Sequence, residues 1–107
     1  MFDIRHYVAP DGSDPFQDWL DGLRDARAYV AVLRRVDRMS VGNFGDHQFC
    51  RDGVWEIRID AGPGYRVYYA RIDKTVIILL CAGDKRTQRA DIDHAVGLWR
   101  ELLRRQE

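Results

Sequence analysis

The sequence is short of cysteine, proline and lysine, has no excess of either charge, and contains no long apolar run. Its two cysteines, Cys50 and Cys81, stand 31 positions apart with no CxxC spacing and no histidine cluster beside them. That argues against a disulfide framework, a redox pair or a zinc site, and two free thiols in a reducing compartment are expected. No stretch approaches the ~18 consecutive apolar residues of a membrane span. The first residues, Met1 to His6, lack the charged-then-apolar pattern of a secretory signal, so a cytoplasmic protein without membrane partners is expected. Lys plus Arg and Asp plus Glu number 17 each, a formal charge of zero. The chain as a whole therefore does not attract polyphosphate, and a nucleic-acid role requires a local basic site.

What is present is a chain of 107 residues, 46% of them hydrophobic, which is too apolar for disorder and short enough for one domain. Folding should bury about two-thirds of the unfolded surface, enough for a single core without staples. The charge is uneven in type and in place. Arginine outnumbers lysine 15 to 2, supplying planar forks suited to phosphate, and aspartate outnumbers glutamate 14 to 3. Residues 1–25 hold two arginines and six aspartates, a net −4, which leaves +4 for the other 82 residues. The acidic first helix is expected to face away from any RNA.

Alternation over Phe2 to Val8 predicts a short strand, which Pro10-Asp11-Gly12-Ser13 breaks. Ser13 or Asp14 caps a helix with Pro15 in its first turn and Phe16, Trp19, Leu20 and Leu23 on one face. A second helix carries Tyr29, Val32, Leu33, Val36 and Met39 and stops at Gly42 to Gly45. Gly42 to Gly53 reads as a polar connector, a candidate mobile loop. From Val54 the period changes to two, giving a hairpin about Gly62-Pro63-Gly64, and Thr75 to Ala82 is an apolar run expected at the buried centre of a sheet. Thr87 is the expected cap of a last helix bearing Ile92, Ala95, Val96, Trp99, Leu102 and Leu103, which ends in Arg104-Arg105. The expected order is β-α-α-β-β-β-α, a single α+β domain over residues 1–107 with a mainly antiparallel sheet packed against a helical hairpin and a C-terminal helix.

The hairpin offers the candidate site. Placing Val67 and Tyr69 inside with Trp55, Ile57 and Ile59 puts Glu56, Arg58, Arg66 and Tyr68 together on an outward face, which Lys85 and Arg86 join from beyond the next strand. The same pattern is also that of ordinary solvated charge pairs on a half-exposed sheet. As chemistry, it supplies what RNA cleavage by 2′-hydroxyl attack requires: a proton acceptor, a fork for the pentacoordinate phosphorane, and an acid for the leaving oxygen. The three histidines are scattered, and Asp91 and Asp93, two apart on a helix, do not face each other, so no metal and no cofactor is expected.

The run from Gly53 to Tyr69, with Leu80-Cys-Ala-Gly-Asp-Lys85, Gln88, Asp91-Ile92 and Ala95, resembles the phage-derived "addiction module killer protein" branch of the RelE/ParE toxin superfamily, close to HigB-type toxins. The resemblance implies a RelE-like fold and a toxin of a type II toxin–antitoxin module, held silent by a cognate helix-turn-helix antitoxin. It further implies a metal-independent endoribonuclease, or mRNA interferase, acting on mRNA on the ribosome. Carried over by motif, Arg66 contacts the scissile phosphate, and Arg58 and Lys85 or Arg86 supply further cations. In the reaction so read, Glu56 or a neighbouring basic group takes the proton, Tyr68 stacks on a base, since aromatic faces bind bases with little sequence preference, and Arg51 and Arg86 join it in binding RNA. Glu56 stands where RelE has a lysine, and a long helix carrying Trp99 replaces the aromatic-bearing tail. The superfamily also contains gyrase inhibitors without a hydrolytic site, so that activity and a decayed, antitoxin-binding member are the alternatives.

Overall fold

The computed structural model describes residues 1–106. The elements are β1 (Asp3–His6), α1 (Pro15–Asp21), α2 (Ala26–Ser40), β2 (His47–Arg51), β3 (Val54–Ile59), β4 (Tyr65–Ile72), β5 (Val76–Asp84) and α3 (Gln88–Arg105), with a 3₁₀ turn over Lys85–Thr87. One five-stranded sheet runs β1-β5-β4-β3-β2, with β1 parallel to β5 and every other pair antiparallel. This is the α+β, RelE-like architecture the sequence predicts, with one strand more.

That strand is β2, which lies within the expected mobile connector. Its pairing with β3 is fixed by a turn at Asp52-Gly53, where both residues have positive φ, 52° and 85°. An Asp-Gly pair is a strong two-residue hairpin signal, and here it marks the strand that the polar character of His47 to Arg51 conceals. Gly53 is doubly required, since a Cβ there would also lie 2.7 Å from Trp99 Nε1.

Local capping sets the helices. Asp14 caps α1 by accepting from the Gln17 backbone N–H at 3.0 Å, with Pro15 as first helical residue. Asp25 caps α2 by accepting from Arg27 N–H at 2.9 Å. At the start of α3 the expectation fails: Thr87 makes no capping bond, and its hydroxyl instead donates to Asp91 Oδ2 at 2.5 Å. Asp84 does the capping one turn earlier, accepting from Arg86 N–H at 2.8 Å.

Helices cover the sheet on both faces. On one, Phe16, Leu20, Val32 and Met39 of the hairpin pack on Ile57, Ile59, Val67, Tyr69, Ile77 and Leu79. On the other, Ala95, Val96 and Trp99 of α3 pack on Val54, Tyr68, Ala70, Ile78 and Leu80. Burial on both faces explains the continuous apolar run of β5. β5 is an internal strand, although β4 is the middle one. The expected half-exposed face does not exist there, because the apolar stripe of α3 requires an apolar floor and takes it from β4 and β5.

Candidate functional site

Strand register brings the predicted charges together. Arg58 stands directly opposite Arg66, and Glu56 opposite Tyr68, across the β3–β4 pair. Two arginines facing each other repel. Glu56 resolves this: its Oε2 accepts from Arg58 Nε at 2.7 Å and from Arg66 Nε at 3.2 Å. Its Oε1 accepts from Gln88 Nε2 at 3.1 Å and from the Cys50 thiol at 3.4 Å. The residue is 1% exposed. Burial by itself raises the carboxyl pKa, but the hydrogen bonds from Arg58, Gln88 and Cys50 and the charge of Arg58 outweigh it and hold the group below its usual value. The same carboxylate holds Arg58 firmly protonated. Burial first, and Glu56 second, push the Cys50 thiol up to about 12.

Lys85 reaches this site through the backbone. Its N–H donates to Gly64 O at 2.9 Å, tying the end of β5 to the β3–β4 turn. Its side chain then lines an open cleft of about 400 Å³ with Arg58 and Arg66, the Gly62-Pro63-Gly64 turn, Asp46 and Asp60. Among the described residues Lys85 makes no ion pair. Gly83, paired with Arg66, has no room for a side chain, because a Cβ there would lie 1.9 Å from Asp91 Oδ2. The missing side chain at Gly83 is what lets the start of α3, and with it Gln88, lie close against the site.

Three of the remaining candidates lie elsewhere or out of reach. Tyr68 is 0% exposed beneath α3, so the expectation that it stacks on a base is corrected: neither ring face is available. Arg51 is bound to Asp52 at 2.7 Å and to Asp93, and lines a separate depression with Cys50, Gln88, Arg89 and Ile92. Arg86 points its guanidinium at Asp84, 3.0 Å away, and is not among the residues of the cleft. Sequence reasoning missed Cys50 and Gln48 as participants; the latter accepts from Arg58 Nη2. It also missed Arg35 of α2, which donates to the carbonyls of Arg58, Phe44 and Asp46 and so fixes the cleft wall from behind. Gln88 belongs to the quoted motif, whereas Arg35 sits among α2 arginines that nothing in the pattern separates. No group of three or more metal-ligating side chains occurs among the described residues.

Residues 18–97 match the family of phage-derived Gp49-like proteins. The chain belongs to this family. An uncharacterized protein of Haemophilus influenzae is 46% identical over 87 residues, covering 81% of this chain and 88% of that protein. The Gp49-like match contains all of β2 to β5, α2, and α3 as far as Gly97, so Glu56, Arg58, Arg66 and Lys85 all fall within it. Gp49-like proteins are grouped with the RelE/HigB-type toxin–antitoxin proteins, which implies an antitoxin partner. No helix among the described residues is long and apolar enough to cross a membrane.

Proposed function

We propose that this Gp49-like protein is the toxin of a type II module and an endoribonuclease that cuts mRNA on the ribosome, in the cytoplasm. The observation that carries the reading is the convergence of Arg58, Arg66 and the unpaired Lys85 on one cleft. In the proposed reaction the 2′-oxygen attacks the adjacent phosphorus and loses its proton as the P–O5′ bond breaks. The products are a 2′,3′-cyclic phosphate and a 5′-hydroxyl that has gained a proton. Charge builds on the non-bridging oxygens of the phosphorane, and Arg66, whose side chain is 14% exposed at the cleft wall, is placed to meet it. Arg58 and Lys85 hold the flanking phosphate oxygens. The reading calls on the protein's own cations alone, with no metal or cofactor.

Removal of a donor that meets developing charge costs on the order of 10²-fold or more in rate. Induction of wild type should therefore arrest growth, and Arg66→Ala, equally soluble, should not. Equal toxicity of the two proteins would remove Arg66 from the reaction. Arrest with intact mRNA and a DNA-damage response would assign the toxin to gyrase instead.

A further inference from the structure

Glu56 is the one charged residue fully buried among the described residues, and it belongs to the proposed site. A proton acceptor for the 2′-hydroxyl needs a lone pair open to the cleft and a proton affinity near ambient pH. Glu56 has neither. Each oxygen already accepts from two donors, Oε2 from Arg58 and Arg66 and Oε1 from Gln88 and Cys50, and Glu56 is not among the residues lining the cleft. What the carboxylate does hold is telling. It takes only the Nε–H edge of each arginine, and Gln48 takes Nη2 of Arg58. Nη1 and Nη2 of Arg66 have no hydrogen-bond acceptor among the described residues. A carboxylate oxygen that takes the Nε–H alone anchors the inner edge of a guanidinium and leaves its outer Nη fork for a second, bidentate anion.

We propose that Glu56 is a positioning residue: it clamps Arg58 and Arg66 by their Nε–H edges, keeps the Arg66 fork free for a phosphate oxygen, and takes no proton in the reaction. This rests on the phosphate-binding reading of the cleft. It distinguishes Glu56 from a base and from a merely structural ion pair. Loss of a base removes the acidic limb of the pH–rate profile. Loss of a clamp lowers the rate, leaves the profile's shape, and, because one negative charge leaves the site, leaves RNA binding unchanged or tighter.

The test is Glu56→Gln, read three ways. In ¹⁵N spectra of the free protein the Arg66 Nε–H should be slowly exchanging in wild type and should join the exposed arginines in the variant. On ribosomes programmed with mRNA, cleavage followed across pH should fall roughly 10²-fold, as for a misplaced reacting group, with the acidic limb of its profile kept. Affinity for a 2′-O-methyl mRNA that cannot be cut should hold or increase. A lost acidic limb, an unchanged Arg66 Nε–H, or weaker binding in proportion to the lost rate would overturn the proposal. Glu56→Asp, which keeps the charge at shorter reach, guards against a folding defect in the amide variant. It should fold and lose less than Gln, and full activity for it would equally contradict a clamp of defined length. A wild-type protein that cuts no RNA would refute the nuclease reading, while the Nε–H signal would still decide whether the clamp exists.

Discussion

Glu56 shows how a residue's environment can invert its apparent chemistry. Alternation places it beside Arg58 on a nominally outward face, yet α3 closes over it and leaves it 1% exposed with four donors. Its folded-state pKa is depressed, so the ion cluster stabilises the fold at pH values above the ordinary glutamate value of about 4.5 that holds in the unfolded chain. That stability is lost as pH falls through the folded pKa. Urea unfolding should therefore show a drop in stability on acidification below about pH 4.5 that is smaller in Glu56→Gln; parallel pH curves for the two proteins would contradict the assignment. The same burial acts on Cys50, whose thiol lies at about 12 and carries almost no thiolate at neutral pH. Native protein should thus react with maleimide far more slowly at Cys50 than urea-unfolded protein does. Gly83→Ala places a methyl group where Asp91 Oδ2 stands 1.9 Å away. Overpacking of this kind costs about 1–3 kcal/mol, and for a domain near 100 residues each kilocalorie lowers Tm by about 4–8 °C, measurable by thermal melting.

At the scale of elements, what was legible in the sequence depended on whether a signal was local. The cap at Asp14 acts within three residues, so α1 follows from spacing and capping; α2 follows from its apolar spacing, and its cap at Asp25 is seen only in the structure. Asp25→Ala should cost about 1 kcal/mol in chemical denaturation, and a neutral outcome would mean that packing alone holds the α2 start. The β3–β4 hairpin likewise follows from alternation about one turn. Strand β2 was hidden because its burial is slight and its polar residues resemble a loop; only Asp52-Gly53 betrays it. The position of α3 was the decisive unknown. Its amphipathic stripe is plain, but nothing local says which sheet face it covers, and that choice buries Tyr68 and Glu56 while leaving Lys85 exposed. The strand register groups Arg58, Arg66 and Lys85 as the sequence expects, whereas it leaves Tyr68, Arg51 and Arg86 outside the cleft.

Over the whole molecule, neutrality is an average of unlike parts. The −4 of residues 1–25 lies largely on β1, α1 and their connections, and α1 packs on the face opposite Glu56 and Arg66. It is not remote, however: Trp19 meets Tyr65 with ring centroids 5.6 Å apart, and Tyr65 lines the cleft. A protein that reaches RNA with few local cations and no favourable net charge should bind ribosomes weakly, and its affinity should fall with salt on the shallow slope that few phosphate contacts give. Tight binding that is indifferent to salt would contradict this. The central claim, that the cleft of Arg58, Arg66 and Lys85 cuts mRNA, is tested most directly by primer extension on transcripts recovered after induction of wild type and Arg66→Ala. The account predicts codon-phased 5′ ends in the wild-type sample and none in the variant; intact transcripts during wild-type growth arrest would contradict it.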